Sequence, residues 1–396
     1  MSHRFRRDRF TWLAYTLLAW FAYLQAAPGL VVPHLRDELD LSYSTGGLHV
    51  AAFAAGSIAA GLVAAPLERT LGRHSMLWWA ATVMGAGAIG LAAGPIAAAT
   101  IGSVVIMGVG GGLLLATIQA ALADHHGDGR TVALAEANVA ASLAYVGLIG
   151  VLSLTAALHA GWRVALLGSL AVPALAWSSN RRLAIDAGRS HIVHGRLPSA
   201  FWTAAAMLWC LTAVEWCITA WGASFVDDVA DVSSDTAVAV MAGYFGGVVV
   251  GRALGSRLAR RHDPGRLLGF ALAVTAAGFT IFWPANAAAQ ALIGLTLLGL
   301  GIGNLFPMGA SLTVALAPER PALASGRVVA MTSFAGLLAP LTVGTLADTT
   351  SLKAALVVVP LMLVLASIAL TVVRRAHTSE LLAAALVGSR RPPSSR

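Results

Sequence analysis

The chain has 396 residues, of which 58% are hydrophobic and only 11% charged. A soluble domain carries about 25% charged residues, so this composition excludes a water-soluble globular protein, and the scatter of its 41 glycines and 15 prolines excludes collagen-like and low-complexity chains. A net charge of +8 would suggest nucleic acid on a soluble protein; here the placement of the arginines gives it a different meaning.

A membrane-spanning helix needs roughly 20 mostly apolar residues. Twelve runs meet that need: residues 10–33, 44–66, 75–94, 97–121, 131–157, 162–178, 199–224, 236–255, 267–284, 290–316, 324–346 and 354–373. The first follows Arg4, Arg6, Arg7 and Arg9, as a signal peptide would, but its apolar stretch is too long for one and eleven more follow. It is read as a retained helix. Arg36, Arg163 and Lys353 fall in the loops on one side of the spans; every other basic residue falls on the side of the N-terminus. That asymmetry predicts both termini in the cytoplasm and explains the positive charge without nucleic acid. The loop after the seventh span is acidic, with Asp227, Asp228, Asp231 and Asp235. Cys210 and Cys217 lie about 10 Å apart along one helix, too far for a disulfide, and no cysteine metal site is available.

The polar, basic segment 179–198 divides the chain six spans to six. The expected units are an N-terminal bundle at 1–178, this cytoplasmic linker, a C-terminal bundle at 199–373 and a mobile cytoplasmic tail at 374–396, with a helical stretch at Glu380–Val387. Internal matches support a repeat. Gly61 pairs with Gly251, Gly108-x-Gly110-x-Gly112 with Gly299-x-Gly301-x-Gly303, and Arg130-x-x-Ala133 with Arg327-x-x-Ala330, in order and at offsets of 190 to 197 residues. The loop between spans two and three reads Glu68-Arg69-Thr70-Leu71-Gly72-Arg73, and the loop after span eight runs from Gly251-Arg252 to Arg260-Arg261. Gly161-Trp162-Arg163 opens span six.

Twelve helices in two six-helix repeats with a basic linker, and these loops, resemble the major facilitator superfamily. The family's acid stands three residues before the loop glycine, whereas Glu68 stands four before Gly72, and the second loop lacks the acid. The resemblance implies an all-α membrane protein, with twelve transmembrane helices as two pseudo-symmetric bundles that rock around a substrate held near the bilayer midplane. It makes Glu68, Arg69, Gly72, Arg73 and Arg252 candidates for cytoplasmic gating loops. The fifth span carries Gly147-Leu148-Ile149-Gly150-Val151 without the proline typical of the family's drug–proton antiporters.

An ionisable side chain inside a membrane is a functional candidate by default. Among the acids, only Glu136 and Glu215 lie well inside spans, and no arginine or lysine is placed there. Glu136 lies about 9 Å into the fifth span, as a proton carrier or as a carboxylate held by a helix N-terminus and a loop arginine. Glu215, near the middle of the seventh, is a candidate for coupling. The amides Gln25, Gln119, Asn138 and Asn304, with Trp216 and Tyr244, are candidates for the substrate cavity; Gln25 before Pro28-Gly29 and Asn304 before Pro307 mark expected irregular points. His49 reads as a packed residue. An apolar cavity with two acids and no cation favours a neutral or cationic, moderately hydrophobic cargo. The expected function is a proton-coupled secondary transporter in a bacterial inner membrane, exporting a small organic molecule, not an enzyme, without cofactor or metal, and functional as a monomer. An uptake symporter or facilitator is the alternative, and a non-transporting membrane sensor the reading from another class. No Gly-x-x-x-x-Gly-Lys run is present for ATP, since Lys353 is the one lysine.

Overall fold

The computed structural model describes residues 6–183, 185, 195–259 and 261–388. Arg4, Arg189, Arg260, Arg390, Arg391 and Arg396, residues 186–194 of the linker and the last eight residues lie outside them. All regular structure among the described residues is helical. The first half holds α1 (Arg9–Leu39), α2 (Tyr43–Leu71), α3 (Arg73–Ala93), α4 (Ala97–His126), α5 (Arg130–Ala157), α6 (Trp162–Gly168) and α7 (Ala171–Asn180). The second holds α8 (Ser199–Ala230), α9 (Ser234–Leu258), α10 (Pro264–Phe282), α11 (Ala288–Ala315), α12 (Pro321–Thr349), α13 (Leu352–Ala355) and α14 (Val358–Gly388).

Eleven stretches among the described residues are long and apolar enough to cross a membrane. The twelfth crossing is α6 and α7 together. Pro173 has no N–H, and its ring crowds the carbonyl four residues back, which is Ser169. The chain answers with tighter bonds: Ser169, Leu170 and Val172 each donate three residues back, to Leu166, Leu167 and Ser169. α13 and α14 are separated in the same way before Pro360, where Val359 donates to Leu356. By contrast, α1 runs unbroken through Pro28 and Pro33, and α11 through Pro307, so the irregular points expected beside Gln25 and Asn304 do not form. Helix starts carry caps of the expected type: Asp8 accepts from the Thr11 amide at 2.9 Å, Ser42 from Thr45 at 3.2 Å and Asp263 from Arg266 at 3.0 Å. Large apolar side chains such as Leu62, Leu175 and Phe270 stand on the outer surface, where lipid rather than water is their natural solvent.

The two halves repeat one packing scheme. In the first, the glycines of α4 press on neighbouring backbone: Gly108 on Phe53, Gly110 on Met84, Gly112 on Ser57. In the second, the glycines of α11 press on Tyr244, Thr275 and Val248. Glycines and partners all shift by the same 191 residues. Small residues let membrane helices approach this closely.

Contacts between the halves gather at the end of the bundle away from the termini. There Asp348 of α12 caps α2, accepting from the amides of Tyr43 (2.7 Å) and Ser44 (2.9 Å). Tyr43 donates to Asp228 at 2.5 Å, His34 pairs with Asp235 at 2.9 Å, and Ser234 donates to Asp37 at 2.9 Å. Deeper in, Gly47 of α2 packs on the second half, where a Cβ would stand 2.9 Å from the Pro340 carbonyl oxygen, a group that also accepts from the Trp221 indole at 2.9 Å within that half. Gly29 of α1 lies so close to α8 that a Cβ there would stand 2.5 Å from the Thr219 carbonyl oxygen. This end is sealed.

Candidate functional site

Below the seal, between the halves, is a cavity of about 310 Å³. It is lined by α1, α2, α4 and α5 of the first half and α8, α9, α11 and α12 of the second, and it reaches from mid-bundle toward the termini. α3, α6, α7, α10 and α14 contribute nothing to its lining. Six of the sequence candidates meet here: Gln25, Gln119, Asn138, Glu215, Trp216 and Tyr244.

The first half presents the amides. Gln25 accepts from the Tyr145 hydroxyl at 3.0 Å. Asn138 lines the cavity and donates to the Leu134 carbonyl at 2.8 Å within its own helix. The second half presents Tyr244, whose hydroxyl shares a 3.1 Å hydrogen bond with Thr219. Trp216 leans on Gly336 of α12, where a Cβ would meet the indole at 3.0 Å. Phe21, Phe53 and Phe306 supply much of the apolar wall.

Arg252 overturns a sequence expectation. It is not in a gating loop but on α9, two turns inside its end, and it lines the cavity. Its Nη2 lies 3.9 Å from Glu215 Oε1, and its Nη1 donates to Ser142 of α5 across the interface at 2.5 Å. Both charged side chains are about one quarter exposed, at 27% and 25%. The cavity therefore holds one acid and one base, and the case for a neutral or cationic cargo built on a missing cation no longer stands. Tyr145, also unmarked in the sequence, bridges the two halves by packing on Phe245, with ring centroids 5.4 Å apart.

Glu136 is elsewhere. Its carboxylate takes a two-point contact from Arg7, Nη2 at 2.6 Å and Nε at 2.8 Å, and a bond from the Tyr15 hydroxyl at 3.0 Å. It is absent from the cavity lining. The charge partner is an arginine of the N-terminal segment, which also bonds α4 and α7: Asp8 accepts from His125 at 2.7 Å, and Arg9 donates to Asn180 at 2.8 Å and to the Ser179 carbonyl. Asn304 is also outside the cavity. Buried at 9% exposure, it donates to the Gly251 carbonyl at 2.7 Å and ties α11 to α9. His49 is fully buried between the Thr45 carbonyl and the Thr100 hydroxyl, 2.8 Å from each.

At the end bearing the termini, the loop motif forms a compact charge cluster. Arg73, buried at its side chain, donates to Glu68 at 2.8 Å and to Asp124 of α4 at 2.9 Å. The displaced acid thus still meets its arginine. Asp124, the second acid, was invisible as a partner because it lies some fifty residues on. Gly72 adopts φ +75° between α2 and α3, a conformation that glycine takes without steric cost. Arg69 is exposed. Among the described residues, no group of histidine, cysteine, aspartate and glutamate is placed to hold a metal.

Comparison with known proteins agrees with this architecture. Solved structures with the same fold include a bacterial homologue of the human lysosomal transporter Spinster in an inward-facing, occupied conformation. It is 13% identical with a TM-score of 0.74, over 94% of this chain and 98% of that one. They include a point mutant of the nucleoside transporter NupG, at 11% identity and TM-score 0.76 over 93% and 99%. A D-xylose–proton symporter gives 14% identity and TM-score 0.74 over 91% and 96%. No curated protein matches the sequence. The Major Facilitator Superfamily model matches twice, over residues 11–228 and 200–392, and the chain is a multi-pass membrane protein that belongs to that superfamily.

Proposed function

We propose that this protein is a proton-coupled secondary transporter that moves a small organic molecule by alternating access, with Glu215 as the proton-carrying residue. The observation that carries the reading is a carboxylate, one quarter exposed, at mid-bundle in the inter-half cavity. A carboxylate there is costly to keep charged and is reached from whichever side the cavity faces. With the basic residues and both termini in the cytoplasm of a bacterial inner membrane, the sealed far end makes this an inward-facing state. The aromatic and aliphatic part of the wall, with Phe21, Phe53, Phe306 and Val329, favours export of a moderately hydrophobic compound over uptake of a highly hydroxylated one. One chain contains both halves and the whole cavity, so a monomer suffices. Glu136, held by Arg7 and Tyr15, anchors the N-terminal segment instead.

The test is proton movement in liposomes holding purified protein, read with a pH-sensitive dye during a screen of compound pools. Wild type should show substrate-dependent proton flux. Glu215→Gln should abolish it while exchange of substrate continues at concentrations high enough to offset any weaker binding, and Glu136→Gln should retain it. Substrate movement without proton movement, equal in all three proteins, would overturn the coupling; opposite directions of proton and substrate flux distinguish export from uptake.

A further inference from the structure

We infer that the cavity recognises an amino-acid-like zwitterion: a molecule with an amine and an acid group close together and an apolar body. This rests on the reading of the cavity as the substrate site. The observation is the pair Glu215 and Arg252. Their closest approach is 3.9 Å, outside hydrogen-bond range. Glu215 has no hydrogen bond among those the structure shows, and Arg252 satisfies one of five N–H donors, on Ser142. Two ions taken largely out of water repay their desolvation only when further hydrogen bonds complete their shells. Both groups line the cavity, so a ligand held there can supply those bonds.

A bound molecule completes both shells if it offers an ammonium to Glu215 and a carboxylate, phosphonate or sulfonate to Arg252. An arginine fork suits such planar or multi-oxygen anions. A purely cationic ligand would satisfy Glu215 but add net positive charge beside Arg252, and a purely anionic one would do the reverse. Among charged ligands, only one that carries both charges leaves the ionised pair neutral overall, and unlike an uncharged molecule it offers each partner an opposite charge. The pair lies on adjacent helices of one half, so the ligand's two charges must also be adjacent, not at opposite ends of a long chain. The apolar body then points across to Phe21 and Phe53 of the first half. The volume of about 310 Å³ is at the small end of ligand pockets.

The experiment uses the full-length protein in nanodiscs and a panel of apolar and aromatic amino acids. Each is tested beside its methyl ester, a cation, and its N-acetyl form, an anion. Binding is read as a thermal shift and as displacement of the best radiolabelled member. At least one zwitterion should bind, with its ester and acetyl forms weaker by about tenfold or more, as expected when one partner of a buried charge contact is lost. Arg252→Gln should then prefer the ester, and Glu215→Gln the acetyl form; a role in folding alone would weaken all three together. Arg252→Lys keeps the charge without the fork and should fall between. If no zwitterion stabilises wild type, or if an ester or acetyl form binds as well, the inference is overturned. Zwitterion binding without counterflow in liposomes would instead sink the transporter reading and leave this one standing.

Discussion

Glu215 and Glu136 are two acids in spans, and one helix turn of context separates their fates. Glu136 lies close enough to the end of α5 for the N-terminal arginines to reach it, whereas Glu215 sits mid-helix with only another span residue to meet. Glu215 was therefore legible from sequence, as an acid that cannot snorkel. Arg252 was not. Matching Gly61 to Gly251 put it in a loop motif, whereas the packing register of 191 residues pairs Arg252 with Gly61 itself. An arginine near a span end also has a long stem that hides which way its head turns. Asn304 shows the opposite error, since an amide in a glycine-rich helix looks the same in a sequence whether it faces a ligand or a carbonyl of the next helix. Its bond to Gly251 predicts that Asn304→Ala lowers unfolding free energy by about 1 kcal/mol, in line with interhelical hydrogen bonds in membranes. Denaturant unfolding in mixed micelles measures it, and a change below a few tenths would mean that the bond contributes nothing.

Most helices could be read from the apolar runs, and the differences come from prolines. Pro173 broke a crossing that composition alone made continuous, while Pro28 and Pro307 bent nothing out of helix. At the break the Ser169 carbonyl accepts from the Val172 amide, while the Ser169 hydroxyl accepts from the Trp20 indole at 3.2 Å and donates to the Leu166 carbonyl at 2.6 Å, which fastens the turn to α1. At its start, α1 depends on Asp8. Partial burial works to raise the Asp8 pKa, but bonds from the Thr11 hydroxyl and amide and from His125 outweigh it and hold the carboxyl below its ordinary value. A lowered folded pKa means that the charge contributes stability above the unfolded value, about 3.9, and that this contribution is lost as pH falls through the folded value. Asp8→Ala should therefore lower Tm at pH 7, by the equivalent of about 1 kcal/mol for a lost cap. At pH 3 the difference from wild type should shrink. A gap in Tm that stayed constant between pH 7 and pH 3 would show that the charge plays no part.

The whole molecule rests on how its two halves meet. The duplication was readable from ordered glycine matches, because close packing leaves a strict residue signature. The seal was not, since it joins residues as far apart as Tyr43 and Asp348, which no local pattern links. Its geometry makes a prediction at this scale. Gly29→Val would drive a side chain into the Thr219 carbonyl, and Asp348→Ala would remove the cap on α2, so each should favour the state open at the far end. Cysteines introduced singly along the cavity, in a background with Cys210 and Cys217 replaced, should gain reactivity toward a membrane-impermeant thiol reagent added from the far side. Losing a charged cap is worth about 0.5–2 kcal/mol, so the open population should rise by roughly two- to thirtyfold. Unchanged labelling in both variants would mean that the seal is held by other contacts.

Glu215 and Arg252 ride on the same half. When that half reorients with both groups ionised, it carries opposite charges together, and the membrane voltage does almost no work on the movement. Neutralise Glu215 with a proton, and the same swing carries the bare charge of Arg252. A full elementary charge crossing the whole field corresponds to about 2.3 kcal/mol per 100 mV, and the fraction felt here scales with how far through that field the arginine travels. If Glu215 carries the proton as proposed, the placement of one acid beside one base on one half ties the voltage dependence of that half's movement to protonation.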